Sequence, residues 1–245
     1  MSALKLFSIL LDYPRDELWL NREELLEAAD GVQLSKSRRS QLKAFVTELL
    51  EQPPMAAQEA WLGLFDRGRA MSLLLFEHIH GESRDRGQAM VDLMQTYLDN
   101  GFELSAKELP DYLPLMLEYL SLRPDAEVVD WLSHTGHIIE LLAARAAERG
   151  SGYACVLEIL AEYGQTPRDL SLVRKRAAAE ERDDTPEMMD KVWEEEAVRF
   201  GNEAPTENCA APTRLPAGAR TVDKAAPAHP APAALVHPST SQVTT

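Results

Sequence analysis

An all-α bundle is the fold class this sequence predicts, and three observations predict it. From Leu4 to about Tyr163 the apolar residues recur at spacings of three, four and seven, as in Leu42, Phe45, Val46, Leu49 and Leu50. Glycine and proline fall between such runs, at Gly31, Gln52–Pro54, Gly81, Gly101 and Gly150, where helices stop and turns begin. No stretch alternates apolar and polar side chains as a half-buried strand does.

In chain order, the opening "LKLFSILLDYP" (Leu4–Pro14) is an apolar helical run, and Leu18, Leu25 and Leu26 continue the pattern. After the Leu42–Leu50 stretch, helices are predicted over Ala57–Phe65, Arg69–Ile79, Arg84–Asn100, Leu113–Leu122, Val128–Arg149 and Gly152–Tyr163. A helix over Arg69–Ile79 puts Arg69, Leu73 and Phe76 on one stripe, and Arg67 and Arg69 stand out in an acidic body. Gly81 ends that helix, and Ser83 is placed to cap the next. Residues 1–165 then read as one helical domain and 166–200 as a charged, partly helical extension in which Trp193 and Phe200 are the apolar anchors. Residues 201–245, rich in Ala and Pro, read as a disordered tail.

The segment "LPDYLPLMLEYLSL" (Leu109–Leu122) is apolar on almost every side, so its helix is expected at the centre. Pro110 cannot continue a helix from upstream, and Asp111 is read as the N-cap of the helix that follows. Pro114 falls early in that helix, where its missing N–H is harmless. Glu118 is a carboxylate on an otherwise apolar helix and needs a cationic or hydrogen-bonding partner, for which Arg123 is the nearby candidate.

With 25 basic against 40 acidic residues the formal net charge is −15, which repels phosphate backbones and excludes nucleic acid as an expected partner. A basic peptide or basic subunit surface is favoured instead. The two cysteines, Cys155 and Cys209, form no disulfide framework and fit a reducing compartment. No signal peptide or membrane-spanning run is read, so a soluble, cytoplasmic chain without direct membrane insertion is expected.

Glycine-rich phosphate loops of the P-loop or dinucleotide kind are missing. His78 and His80, in "FEHIHGESRDRG", are two apart and point to opposite sides of a helix, whereas zinc helices space ligands by three or four. Structural histidines are favoured there over a metal site. The enzymatic alternative, a small metal- or nucleotide-dependent protein using His78, His80, Glu77 and Glu82, stays open, as does a helical adaptor. Arg84, Asp85 and Arg86 make a mixed-charge corner, read either as a solvated turn or as a polar latch.

Three blocks, "LKLFSILLDYP", "LFDRGRAMSLLLFEHIHGESRDRGQAMVDLM" (Leu64–Met94) and "ELPDYLPLMLEYLS" (Glu108–Ser121), carry a resemblance to the TorD-like family. The resemblance is closest to its respiratory nitrate reductase branch, the NarJ/NarW group of molybdenum cofactor assembly chaperones. It spans about residues 1–165 and implies an all-helical, non-enzymatic chaperone with no stably bound cofactor. The implied client is the apo nitrate reductase α subunit, held by its N-terminal segment. That client then receives molybdenum guanine dinucleotide cofactor and an iron–sulfur cluster before it docks at the membrane. The αβ complex and the proteins that make the cofactor are further candidate partners, and a different molybdoenzyme is the alternative client.

The family's Pro-Asp-His motif stands here as Pro110-Asp111-Tyr112, so the histidine is replaced while the aspartate carries over. A peptide groove is then expected to carry Asp111 and Glu118 at its acidic end and Tyr112, Leu115, Leu73 and Phe76 along its walls. Arg67, Arg69, His78, Glu82 and Arg84 are expected at its polar rim.

Overall fold

The computed structural model describes residues 1–81, 83–104, 108–163 and 170–191. Glu82, Trp193, Phe200, Cys209 and the tail therefore lie outside the described residues. Among those described, every regular element is helical, and the sole sheet-like feature is an isolated antiparallel bridge between Leu74 and Tyr112.

The chain opens with α1 (Ala3–Leu11), whose first turn is capped by Ser2 accepting from the Lys5 amide at 3.3 Å. A short α2 (Glu17–Leu20) and α3 (Arg22–Gly31) follow, then α4 (Lys36–Glu51), again started by a serine cap, Ser35. Pro54 begins α5 (Pro54–Phe65) at the first helical position, where its ring is preorganised for the helix. The next regular elements are α6 (Leu75–His80), α7 (Asp85–Asp99), α8 (Leu113–Leu120), the long α9 (Asp125–Glu148), α10 (Tyr153–Tyr163) and α11 (Leu170–Ala179).

α8 is the central element. Seven of its eight residues are buried, as its all-round apolar surface requires, and it lies against α1. Glu118 is the exception: its carboxylate is 42% exposed and pairs with Lys5 of α1. Arg123 instead pairs with Glu127 at 2.8 Å, four residues on, and this corrects the partner expected for Glu118. The long-range pair wins because Glu118 sits on the face of α8 turned toward α1, while Arg123 and Glu127 have helical-turn spacing of their own.

Tyr97, Phe102, Tyr119 and Trp131 form one aromatic cluster joining α7, α8 and α9, with centroid separations from 4.7 to 6.3 Å. α9 and α10 are joined by a tight turn in which Gly150 adopts φ 66°. Its N–H donates to Ala147, and the Ser151 N–H reaches back to Ala146, both at 2.9 Å. α11 and the residues after it lie along α9: Glu180 accepts from Arg145 at 2.6 Å and Asp183 from Arg149 at 3.0 Å.

One predicted helix is broken. Arg69–Ile79 is a 3-10 turn (Arg69–Met71), an extended stretch, and then α6. The periodicity of the apolar residues survives the break because the extended stretch buries Leu73 just as a helix would. What ends the helix is a better set of backbone partners offered by residues 111–113.

Candidate functional site

The three predicted blocks meet at one junction. The extended stretch Ser72–Leu74 lies antiparallel to residues 111–113: the Leu113 N–H donates to the Leu73 carbonyl at 2.8 Å, and the Leu75 N–H to the Asp111 carbonyl at 3.0 Å. The Asp111 side chain then accepts from the Phe76 N–H at 3.0 Å. Asp111 is thus a cap, but of α6 and not of α8, which begins behind Tyr112 with no side-chain cap. A six-residue helix has few internal bonds, and its free first-turn N–H groups are the strongest acceptors' target in reach.

Asp111 is completely buried. Burial pushes its carboxyl pKa up, and the Phe76 N–H and the Arg86 guanidinium hold it down. Arg86 lies 3.9 Å from Asp111 and 3.3 Å from Glu77, so it bridges both acids from the first turn of α7. From the sequence, Arg86 stands only in the mixed-charge corner with Arg84 and Asp85, and the groove residues expected from that corner include Arg84 but not Arg86. The signal for it is spacing: Arg86 lies four residues before Met90 and seven before Leu93, on the inward stripe that continues to Tyr97.

Tyr112, standing where the resemblance expects histidine, donates its hydroxyl to Asp12 at 2.9 Å, just past the end of α1. Burial and the Asp12 carboxylate both push the phenol's pKa far above its usual range, so it stays a donor at any physiological pH. His78 holds the same junction from the other side, with Nε2 2.8 Å from the Ser72 carbonyl. Burial lowers the His78 pKa, Arg145 adds to that lowering, and the bond to Ser72 and Glu77 oppose it. Arg145 itself donates to the Ala70 carbonyl at 2.6 Å, and the Ala70 N–H donates to Asp183 at 2.7 Å. The stretch 70–76 is therefore tied at six points, five of them by residues of three other segments and one by His78 of α6 itself.

Residues 33–157 match the profile of the family described as nitrate reductase delta subunit. The chain belongs to this family. NarJ of Escherichia coli K12, a nitrate reductase molybdenum cofactor assembly chaperone, is 47% identical over 201 residues, which cover 82% of this chain and 85% of that protein. NarW of the same strain, a probable chaperone of the same description, is 42% identical over 200 residues, 82% of this chain and 84% of its own. A probable NarJ of Bacillus subtilis is 35% identical over 156 residues, 62% of this chain and 83% of its own. These relatives bear the names of assembly chaperones, two of them as probable ones, which agrees with the non-enzymatic reading.

Within this delta subunit family member, the expected groove residues are brought together but not as an open groove. Asp111, Leu73 and Leu115 are buried, at 0, 3 and 7% exposure, and Phe76 and Tyr112 are half-buried. The physical reason is the backbone pairing of the two stretches, which turns Leu73 and Leu115 into the core. Arg67, Arg69 and Arg84 are exposed, and Glu118 lies at the α1 contact. Among the described residues no group of three His, Cys, Asp or Glu side chains is arranged to hold a metal, and none of the helices is long and apolar enough to cross a membrane.

Two outcomes follow for this junction. Asp111→Ala leaves the buried Phe76 N–H without an acceptor and should cost about 1–3 kcal/mol in urea unfolding, whereas Asp111→Asn keeps an acceptor and should recover most of it. Because the folded pKa of His78 lies below its unfolded value, the unfolded chain takes up this proton first as pH falls. Stability should therefore drop below about pH 6.5, through the window between the two pKa values, and His78→Gln should flatten that part of the profile in thermal melts from pH 7.5 to 5.5.

Proposed function

We propose that this protein is the assembly chaperone of a respiratory nitrate reductase. It acts in the cytoplasm on the apo catalytic α subunit, binding that subunit's N-terminal segment. Held in this way, the client accepts molybdenum guanine dinucleotide cofactor and an iron–sulfur cluster, and is kept from its membrane anchor until loading is complete. The cofactor is cargo for the client and has no resident site in the chaperone.

The observation that carries this reading is the 47% identity to a nitrate reductase molybdenum cofactor assembly chaperone along 85% of that protein's length. Two features of the molecule are in keeping with it. The helical body is held by caps, ion pairs and a packed core. Its net charge of −15 favours encounter with a basic segment.

A deletion strain tests the reading. Without this protein the α subunit should accumulate with little molybdenum, measured by elemental analysis of the purified enzyme, and the intact gene should restore it. Fully loaded enzyme in the deletion strain would contradict the proposal, and loss of molybdenum from a different molybdoenzyme would reassign the client.

A further inference from the structure

The segment after α10 is held to the helical body by charge more than by apolar burial. Between residues 171 and 191 only Ala177 and Asp184 are buried, and Leu172 is 62% exposed. α11 nevertheless lies along α9, and ion pairs fix the residues that follow it: Glu180 on Arg145, and Asp183 and Asp184 on Arg149. A unit that buries so little apolar surface opens at a small fraction of the cost of unfolding the whole chain.

Asp183 sits in a seat shaped for a carboxylate. It accepts from the Ala70 N–H at 2.7 Å and from Arg149 Nη2 at 3.0 Å, and the Arg149 side chain is only 8% exposed. Gly68 forms the floor of the seat: a Cβ there would lie 2.6 Å from the Asp183 carboxyl carbon and from both of its oxygens. Gly68 has φ −140° and ψ 151°, an extended conformation open to any residue. The close approach of Asp183, and not the backbone, is therefore the reason for a glycine at this position.

What the seat holds reaches the junction. Both backbone groups of Ala70 are taken up here, its N–H by Asp183 and its carbonyl by Arg145, and Arg145 in turn donates to Glu180. Ala70 begins the stretch whose other end is bonded to Asp111. Arg182 and Asp184 also line a cavity of about 340 Å³, whose other lining residues lie on α4, α5 and their connection and around the α9–α10 turn. When the segment leaves, this cavity loses part of its wall, Arg149 loses both of its carboxylates, and the Ala70 N–H loses its acceptor.

From these contacts we infer that residues 170–184 form a strap that opens and closes as one unit, with Asp183 as its latch, and that its state sets how firmly the stretch 70–76 is held. Closed, the strap covers Arg145 and Arg149 and fixes Ala70. Open, it bares both guanidinium groups and the cavity beside Arg149. The α9–α10 core stays folded in both states, because it rests on buried apolar side chains and not on the strap. The strap stands independently of the chaperone reading and bears on it only through the junction.

The test is amide hydrogen exchange on the full chain, followed residue by residue by NMR at neutral pH. In the parent, Ala70 and the amides of α11 should share one opening free energy, smaller than that of the α10 amides. Gly68→Ala puts a methyl group where the Asp183 carboxylate sits, and Asp183→Ala removes the latch itself. Each should speed exchange at Ala70 and along α11 together, by about tenfold or more, as loss of charge-assisted hydrogen bonds does. The α10 amides should not change in either variant. Glu187→Gln, at an exposed acid outside the seat, is the control and should exchange as the parent does. An α11 that exchanges as in the parent in either seat variant overturns the inference, whether or not Ala70 responds, because the seat would then be a local contact. Exchange that rises equally in α10 overturns it as well, since the segment would then unfold only with the whole chain. So does a Glu187→Gln variant that opens α11 to the same extent, since overall charge and not the seat would then hold the strap.

Discussion

A single buried carboxylate sets the geometry around which this molecule is built. Asp111 has been taken entirely out of water, and such a group must find donors or lose its charge. It finds the Phe76 N–H and the Arg86 guanidinium, and these place α6 and α7 relative to the start of α8. Its other oxygen, Oδ1, has no hydrogen-bond partner among the described residues, so the carboxylate itself rests on the Phe76 N–H and Arg86. The short α6 has no side-chain cap of its own and relies on a residue 35 positions away.

Around this point the backbone pairing does what no side chain could. By exchanging bonds between Leu73 and Leu113 and between Leu75 and Asp111, it ends one helix, starts another and turns Leu73 and Leu113 into the core. Side chains from distant elements then lock the arrangement: Tyr112 to the end of α1, His78 to Ser72, Arg145 to Ala70. The acidic residues after α11 complete the lock. Arg145 on α9 and Arg149 just past its end are largely buried cations, and Glu180, Asp183 and Asp184 compensate them. A chain with excess negative charge thus uses part of that excess to neutralise its own interior.

The all-helical class and the extents of α7, α8 and α10 to within two residues were legible because apolar spacing and glycine or proline stops are local signals. Gly81 and Gly150, both at positive φ, end their helices where the sequence places them. What could not be read were choices between local and distant partners. Asp111 has the composition of a cap for the helix beside it, yet it caps one 35 residues earlier. Glu118 has Arg123 close by in sequence, yet its partner is Lys5, 113 residues away. The break after Met71 left no trace in the hydrophobic pattern, since an extended stretch and a helix can bury the same leucine. The resemblance correctly drew attention to the residues that meet at the junction. It could not tell that their backbones would pair.

These constraints bear on function through what they leave free. The ties hold α6, α7 and the start of α8 in one arrangement, on which any client surface of the helical body rests. The measurement that tests the chaperone account most directly is recovery of the complex from cells, with the molybdenum content of the captured α subunit determined. The account predicts that this protein captures α subunit lacking molybdenum and releases it once the cofactor is in place. Equal capture of loaded and unloaded subunit, or no capture of either, would contradict it.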